Sequence, residues 1–240
     1  MPKHSIILKP VYSCPATEIP SDLVLPDVWS LSWHQAETLK ALRDPSVDVV
    51  FNTAMTSDGK SLAAYIDVMQ GDGINAIGLY PTNELARDQE MQVQDYVQRF
   101  QPPGKPRIAR LSGEELEIYA ESQDLRKADA IATRTSQREI LLTNPDIFHY
   151  LHRGAYLIPD KENPDKLWGR IDDKFHLFIF DEFHIFSAPQ VASVINTLLL
   201  MRYTKGRDKK YLFLSATPNE ELLQRLQEAG LNRLYRPKYA

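Results

Sequence analysis

Residues 51–61 read Phe51-Asn52-Thr53-Ala54-Met55-Thr56-Ser57-Asp58-Gly59-Lys60-Ser61, and a mostly apolar run, Val47 to Phe51, leads into them. The run is long enough for one strand, the polar loop after it is short, and an amphipathic segment follows Gly-Lys-Ser. That order is the layout of a phosphate-binding loop. Backbone N–H groups line a concave nest, a lysine (Lys60) reaches the outer phosphates of a nucleotide, and a hydroxyl (Ser61) ligates Mg2+. The usual pattern opens on glycine, where this chain has Ala54. The same residues also suit a plain strand-to-helix turn, with Gly59 as a permissive backbone and Lys60 solvated. The rest of the chain decides between the two.

Working outward, the periodicity alternates. Leu31 to Arg43 predicts a helix closed by Asp44-Pro45, and Val47–Phe51 is the first strand of the α/β part. Leu62, Tyr65, Ile66 and Met69 then share one helical face before Gly71-Asp72-Gly73. Further strands are expected at Ala76–Tyr80, Arg107–Leu111, Glu139–Leu142, Leu177–Phe180 and Tyr211–Leu214, with helices at Glu84–Phe100, at 188–203 and at Glu220–Ala229, the last capped by Gly230. Residues 1–30 read as an N-terminal extension with one strand, Ser5 to Val11, followed by a lead-in punctuated by Pro15, Pro20 and Pro26. Residues 114–137 show no clear element, and the polar stretch 152–174 reads as an insertion. Strands alternating with helices imply right-handed crossovers and a mostly parallel sheet, with helices on both faces. Continuously apolar strands agree, because they are buried on both sides.

The polar clusters fall in a telling place. Ser57–Ser61, Pro81–Glu84, Ser112-Gly113, Thr143–Asp146, Asp181–His184 and Ser215–Thr217 each follow the carboxyl end of an expected strand. In open α/β sheets that edge is where ligands bind. Asp181-Glu182, at the end of Leu177-Phe178-Ile179-Phe180, pairs a carboxylate able to hold Mg2+ opposite Ser61 with a second acid able to orient an attacking water. Two acids after a strand can equally be a helix-capping turn. With Gly-Lys-Ser upstream, the nucleotide reading prevails.

Composition narrows the class. The chain has 240 residues, 43% of them hydrophobic and 25% charged, as expected of one soluble globular unit. No apolar run approaches the ~20 residues of a membrane span, and the N-terminus lacks the apolar core of a secretory signal. One cysteine, Cys14, allows neither an internal disulfide nor a cysteine-based zinc cluster, so a cytosolic (cytoplasmic) protein is expected. The net charge of −4 conceals a gradient. Residues 185–240 carry nine Lys and Arg against four Asp and Glu, giving +5 there and −9 over residues 1–184. The densest basic cluster, Arg202 to Lys210, suits either an anionic polymer or a solvated loop.

Taken in order, Ala54-x-Thr56-x-x-Gly59-Lys60-Ser61, Pro81-Thr82-x-Glu84-Leu85-Ala86-x-x-Gln89, Thr143-Asn144-Pro145-Asp146, Asp181-Glu182-Phe183-His184 and Ser215-Ala216-Thr217 resemble the motifs of superfamily 2 (DEAD/DEAH-like) helicases. The loop-opening alanine is common in the DEAD-box branch. The resemblance spans about residues 31–220 and implies an N-terminal RecA-like motor domain, an α/β P-loop fold. It implies that Thr56, Ser57, Asp58, Gly59, Lys60 and Ser61 bind the phosphates of ATP, that Ser61 and Asp181 hold Mg2+, and that Glu182 activates water. It gives Pro81, Thr82, Asn83, Thr143 and Asn144 to the backbone of one bound strand. Ser215, Ala216 and Thr217 would couple the nucleotide state to domain motion. Gln35 resembles the glutamine that recognises adenine in such enzymes, although an exposed helix position would also account for it.

The wording Tyr80-Pro81-Thr82-Asn83-Glu84-Leu85-Ala86-Arg87-Asp88-Gln89 with Asp181-Glu182-Phe183-His184 is similar to the CRISPR-associated helicases of type I systems, especially the cyanobacterial type I-D form. That implies an antiviral helicase translocating on single-stranded DNA, partnered by a CRISPR effector complex and expected as a monomer. The chain has no His-Asp dipeptide and its six histidines are scattered, so no HD-type nuclease is expected in it. The resemblance puts the nuclease in a separate subunit. Only about 23 residues follow Ser215-Ala216-Thr217, so a second RecA-like domain is expected to lie outside this chain. Low activity of the chain alone follows from that. Two other functions fit: an RNA helicase of the DEAD-box type, and a non-catalytic docking module that keeps the fold.

Overall fold

Strand segments that are apolar at successive positions can be buried only in a sheet covered on both sides, and that is the arrangement in the computed structural model. It describes residues 14–55, 58–70, 74–102, 105–113, 140–152, 174–204, 209–216, 220–228, 230–231 and 233–236. The strands are β1 (Val49–Asn52), β2 (Ala76–Leu79), β3 (Ile108–Arg110), β4 (Ile140–Thr143), β5 (Leu177–Phe180), β6 (Lys210–Leu214) and β7 (Leu234–Tyr235). They form one seven-stranded sheet in the order β3-β4-β2-β5-β6-β1-β7, with every pairing parallel. This is the α/β architecture expected from the sequence. Among the described residues, no helix is long and apolar enough to cross a membrane.

Alternation along the strands divides the core into two layers. Val49, Phe51, Ile77, Leu79, Leu141, Phe178, Phe180, Tyr211 and Phe213 belong to one layer. Val50, Ala76, Tyr80, Ile140, Leu142, Leu177, Ile179, Leu212 and Leu214 belong to the other. The first layer is aromatic at its centre: Phe213 stacks on Phe51 and Phe180, with centroids 4.9 and 4.6 Å apart, and meets Phe183 edge-on. It is covered by α4 (Pro145–His152), α5 (Ala188–Thr204) and α6 (Glu220–Glu228). The second layer is covered by α1 (Trp33–Arg43), α2 (Lys60–Tyr65) and α3 (Asn83–Phe100). In α3 the buried residues Ala86, Val93, Tyr96, Val97 and Phe100 repeat at helical spacing.

Several boundaries differ from expectation. The first strand starts at Val49, because Val47 closes a turn onto the Asp44 carbonyl. The helix after the loop is only six residues long and gives way to a 3-10 turn at Asp67–Met69. Two elements were not anticipated. The helix α4 begins at Pro145 with Asn144 as its cap, and Pro in the first turn after a capping Asn is a helix start rather than a stop. The two-residue β7 pairs with β1 at the sheet edge. Gly230 does end α6, at φ 84°, with Leu231 N–H bonded to the Leu226 carbonyl. The expected strand Ser5–Val11, the 114–137 stretch, nearly all of 152–174 and the middle of the Arg202–Lys210 cluster lie outside the described residues.

Part of the N-terminal extension packs on the sheet domain. Trp29 meets Tyr96 and Phe100 of α3 edge-on, and Arg99 lies over its ring at 5.7 Å. Arg43 at the end of α1 binds Asp22 and Asp67, and Gln70 exchanges hydrogen bonds with the Val24 backbone.

Candidate nucleotide site

The loop after β1 turns into α2 at Gly59, which takes a left-handed conformation, φ 77°. A Cβ there would also come within 2.5 Å of the Gln35 side-chain nitrogen, so glycine is required twice over. Gln35 is buried against this loop, which removes the exposed-helix reading. Its Nε2 donates to the Gly59 carbonyl at 3.0 Å, and its Oε1 accepts from the Ser32 N–H. Thr56 and Ser57 lie outside the described residues.

Lys60 opens α2 and is 5% exposed. Its ammonium has no hydrogen-bond partner among the described residues. A buried cation without a partner is costly, and here it stands at the N-terminus of a helix, where anions are favoured. Next to it, the Ser61 hydroxyl donates to Asp181 Oδ2 at 3.3 Å. β1 and β5 are not neighbours, since β6 lies between them. The Ser61–Asp181 contact therefore joins loops two strands apart.

Asp181 is 4% exposed. Burial raises its carboxyl from 3.8 to about 6, and the neighbouring Glu182 carboxylate pushes the same way. The Glu182 N–H, the Ser61 hydroxyl and the Lys60 charge pull it back down. A group so placed gains from a cation, which would stabilise its ionised form. Two oxygen donors facing one another suit Mg2+, which takes one or two protein oxygens and completes its shell with phosphate and water. The chemistry of the donor set fits the expected ion. Glu182 sits in a left-handed conformation, φ 47°, between β5 and the 3-10 turn Phe183–Ile185, and its Oε2 lies 3.3 Å from His184 Nδ1. That non-glycine strain, ~1 kcal/mol or more, is what turns the chain sharply after Asp181.

A second group occupies the other half of the same edge. Thr82 caps α3, its hydroxyl accepting from Leu85 N–H. Asn144 caps α4 by accepting from Ile147 N–H, and its amide donates to Asn83 Oδ1 at 2.8 Å. The structure thus joins the Pro81–Asn83 and Thr143–Asn144 turns. Pro81 and Thr143 are buried, whereas Thr82 is exposed. The Thr143 hydroxyl is committed to the Leu111 carbonyl at 2.8 Å, so it braces the turn from within. Ser215 ends β6, its N–H bonded to the Asn52 carbonyl, with Ala216 after it. Thr217 lies outside the described residues.

Sequence reasoning missed His34, Thr38 and Asn52. All three are buried and lie behind the loop. Asn52 Nδ2 donates to Thr38 Oγ1 and to His34 Nδ1, and its Oδ1 accepts from Ala54 N–H. His34 Nε2 meets the Asp58 carbonyl at 2.8 Å. An asparagine closing an apolar strand just before a Gly-Lys-Ser loop was the available signal.

An all-parallel sheet bearing a Gly-Lys-Ser loop after one strand and an acid pair after another, both on its carboxyl edge, defines a RecA-like α/β domain. The profile of the DEAD/DEAH box helicase family matches residues 32–226, and the chain belongs to that family. Among curated proteins none matches the chain in sequence. Solved structures share the fold. The DUF1998 helicase MrfA bound to DNA and AMPPNP is 18% identical, with a TM-score of 0.65 over 95% of this chain and 31% of that one. A DEAD box protein from Methanococcus jannaschii is 20% identical, with a TM-score of 0.53 over 85% and 48%. The Mycobacterium smegmatis helicase Lhr, bound to single-stranded DNA and AMP-PNP, is 19% identical, with a TM-score of 0.56 over 86% and 26%. This chain spans less than half the length of each.

Proposed function

We propose that this chain is the first RecA-like, ATP-binding motor domain of a DNA helicase or translocase that acts on single-stranded DNA in type I CRISPR interference. The observation that carries the ATP reading is the convergence of a buried Lys60, without a hydrogen-bond partner among the described residues, with the Ser61–Asp181 pair at one helix N-terminus. Lys60 and the loop N–H groups bind the phosphates, and Gln35, fixed against Gly59, borders the base. Ser61 and Asp181 hold Mg2+, which when bound neutralises phosphate charge. Glu182 orients the attacking water and accepts its proton.

Thr82, Asn83 and Asn144 offer polar groups beside two helix N-termini, which suits phosphate contacts that position a strand without reading its sequence. The DNA in the MrfA and Lhr structures supports nucleic-acid binding as such. The Tyr80–Gln89 and Asp181–His184 wording supports the CRISPR assignment, with an effector complex and a separate nuclease subunit as partners. The chain's small share of its structural neighbours supports a further domain that completes the site, so this chain alone binds nucleotide weakly and turns it over slowly. Residues 31–240 constitute the motor unit and residues 1–30 the extension.

The test compares ATPase stimulation by single-stranded DNA and by RNA in the full-length protein, with Lys60→Ala and Glu182→Gln beside it. DNA stimulation lost in both variants is the expected result. Stimulation by RNA alone would replace the DNA reading with an RNA helicase. Unwinding or interference that survives both substitutions would make the domain a docking module. Rapid DNA-stimulated turnover by the purified 240-residue monomer would contradict the dependence on a further domain.

A further inference from the structure

Two consecutive residues of α1 grip two consecutive carbonyls of the loop: His34 holds Asp58 and Gln35 holds Gly59. The peptide bonds here are trans. In a trans peptide the C=O of one residue and the N–H of the next point in opposite directions. Drawing the Asp58 carbonyl toward α1 therefore turns the Gly59 N–H away from it, whereas the Gly59 carbonyl, shared between Gln35 and the Ala63 N–H of α2, sets the Lys60 N–H. The Gly59 N–H owes its aim to a contact on the far side of its peptide.

The histidine is oriented from both ends. Asn52 can present only its NH2 to His34, because its Oδ1 is taken by Ala54 N–H and its other hydrogen by Thr38. His34 Nδ1 must then accept, and Nε2 must carry the hydrogen given to Asp58. Protonating Nδ1 would set donor against donor at Asn52, and turning the Asn52 amide over would set its NH2 against Ala54 N–H. The ring is buried, 2% exposed. The charged groups facing it are Asp58 on the loop, whose Oδ2 lies 3.6 Å from Nε2, and Lys60 on α2. Burial lowers its pKa below 6.5; Asp58 opposes that shift and Lys60 reinforces it.

We propose that His34 is a positioning residue for the phosphate loop: as a neutral Nε2–H imidazole braced by Asn52, it fixes the Asp58 carbonyl so that the Gly59 amide faces the phosphates. This rests on reading the loop as a nucleotide site. It adds a role for a side chain that touches neither nucleotide nor metal. Nucleotide affinity then has an acid limit to which the ring contributes beside Asp181. Below the folded-state pKa of His34 the brace breaks and the nest loses its shape.

The test has two arms on the 240-residue chain. Nitrogen-15 NMR of the nucleotide-free protein reads the His34 tautomer and its titration, together with the Gly59 and Lys60 amide signals. An Nε2–H ring titrating below pH 6.5, with the Gly59 amide shifting at the same midpoint, is expected. An Nδ1–H ring, or a Gly59 amide indifferent to that titration, overturns the proposal. The second arm measures binding of AMP-PNP with Mg2+ between pH 5.5 and 8. His34→Ala should weaken binding about tenfold at pH 7.5, the loss of one buried hydrogen bond, and remove from the pH profile the component at the His34 midpoint read by NMR, leaving that of Asp181. His34→Gln, which keeps a donor near the Nε2 position and cannot titrate, should restore most of the affinity while that component stays absent. Wild-type affinity in His34→Ala, or a wild-type profile in His34→Gln, overturns it. Wild-type protein that binds no AMP-PNP at any pH refutes the nucleotide reading instead, and the NMR arm still decides the role of His34.

Discussion

Replacing Asp181 with asparagine should make the nucleotide-free protein more stable while removing its Mg2+-dependent nucleotide binding. The carboxyl is 4% exposed and its pKa is raised, by burial first, from 3.8 to about 6. Below pH 3.8 the group is protonated in both states and costs nothing. Between 3.8 and 6 the folded chain keeps the proton that the unfolded chain releases, so stability falls as pH rises. Above 6 both forms are ionised and the full cost is in place. At 1.36 kcal/mol per pKa unit that cost is about 3 kcal/mol. Asparagine removes it with little else, because Oδ1 still accepts the Glu182 N–H and the new NH2 can donate to the Ser61 hydroxyl. Urea unfolding followed by tryptophan fluorescence should show Asp181→Asn ahead of wild type by about 3 kcal/mol at pH 8 and by under about 1 kcal/mol at pH 4. A variant less stable at pH 8, or a difference that ignores pH, would refute the reasoning.

Gly59→Ala pays for a left-handed φ and displaces the Gln35 amide, so it should cost about 1–2 kcal/mol and nucleotide affinity; adding Gln35→Ala should recover part of the stability in thermal unfolding but not the affinity. Gly78→Ala would place a methyl group 2.6 Å from the Tyr65 hydroxyl, which bonds Tyr80 at 2.7 Å in the core. About 1–3 kcal/mol should be lost to overpacking, and Tyr65→Phe in that background should return some of it by calorimetry. Asn144→Ala removes the α4 cap and the link to Asn83, so about 1 kcal/mol of stability and a share of single-stranded DNA affinity should go, with AMP-PNP binding unchanged in titration calorimetry.

What could be read in advance follows from which interactions are local. Strands such as Leu177–Phe180 announce themselves because burial on both faces demands unbroken apolar residues, and Gly59, Lys60, Asp181 and Glu182 because a strand end leaves few residues in which to build a turn. β7 gave no warning, since two half-buried residues carry no period. The start of α4 at Pro145 went without an expected helix although Asn144 ahead of it supplied the cap. Gln35 was left between two environments, and only the fold brings it to Gly59, 24 residues away. Thr143 shows the converse. Its position in a motif suggested contact with a ligand, whereas the sheet register turns its hydroxyl to Leu111. His34 and Asn52 stayed hidden for the same reason: their partners are distant in sequence, and their type alone does not name them.

The place of β6 has a mechanical consequence. It is the spacer between the strand that launches the phosphate loop and the strand that ends in the acid pair, and its tip, Ser215, is tied back to Asn52 at the root of that loop. Neighbouring strands keep a nearly constant separation of about 4.8 Å, so the gap between Ser61 and Asp181 is gauged by a strand that contributes no atom to that contact. A partner pulling on residues 215–216 would change the width of that gap and the aim of Asn52 together, giving force applied at one loop a route to the chemistry at another.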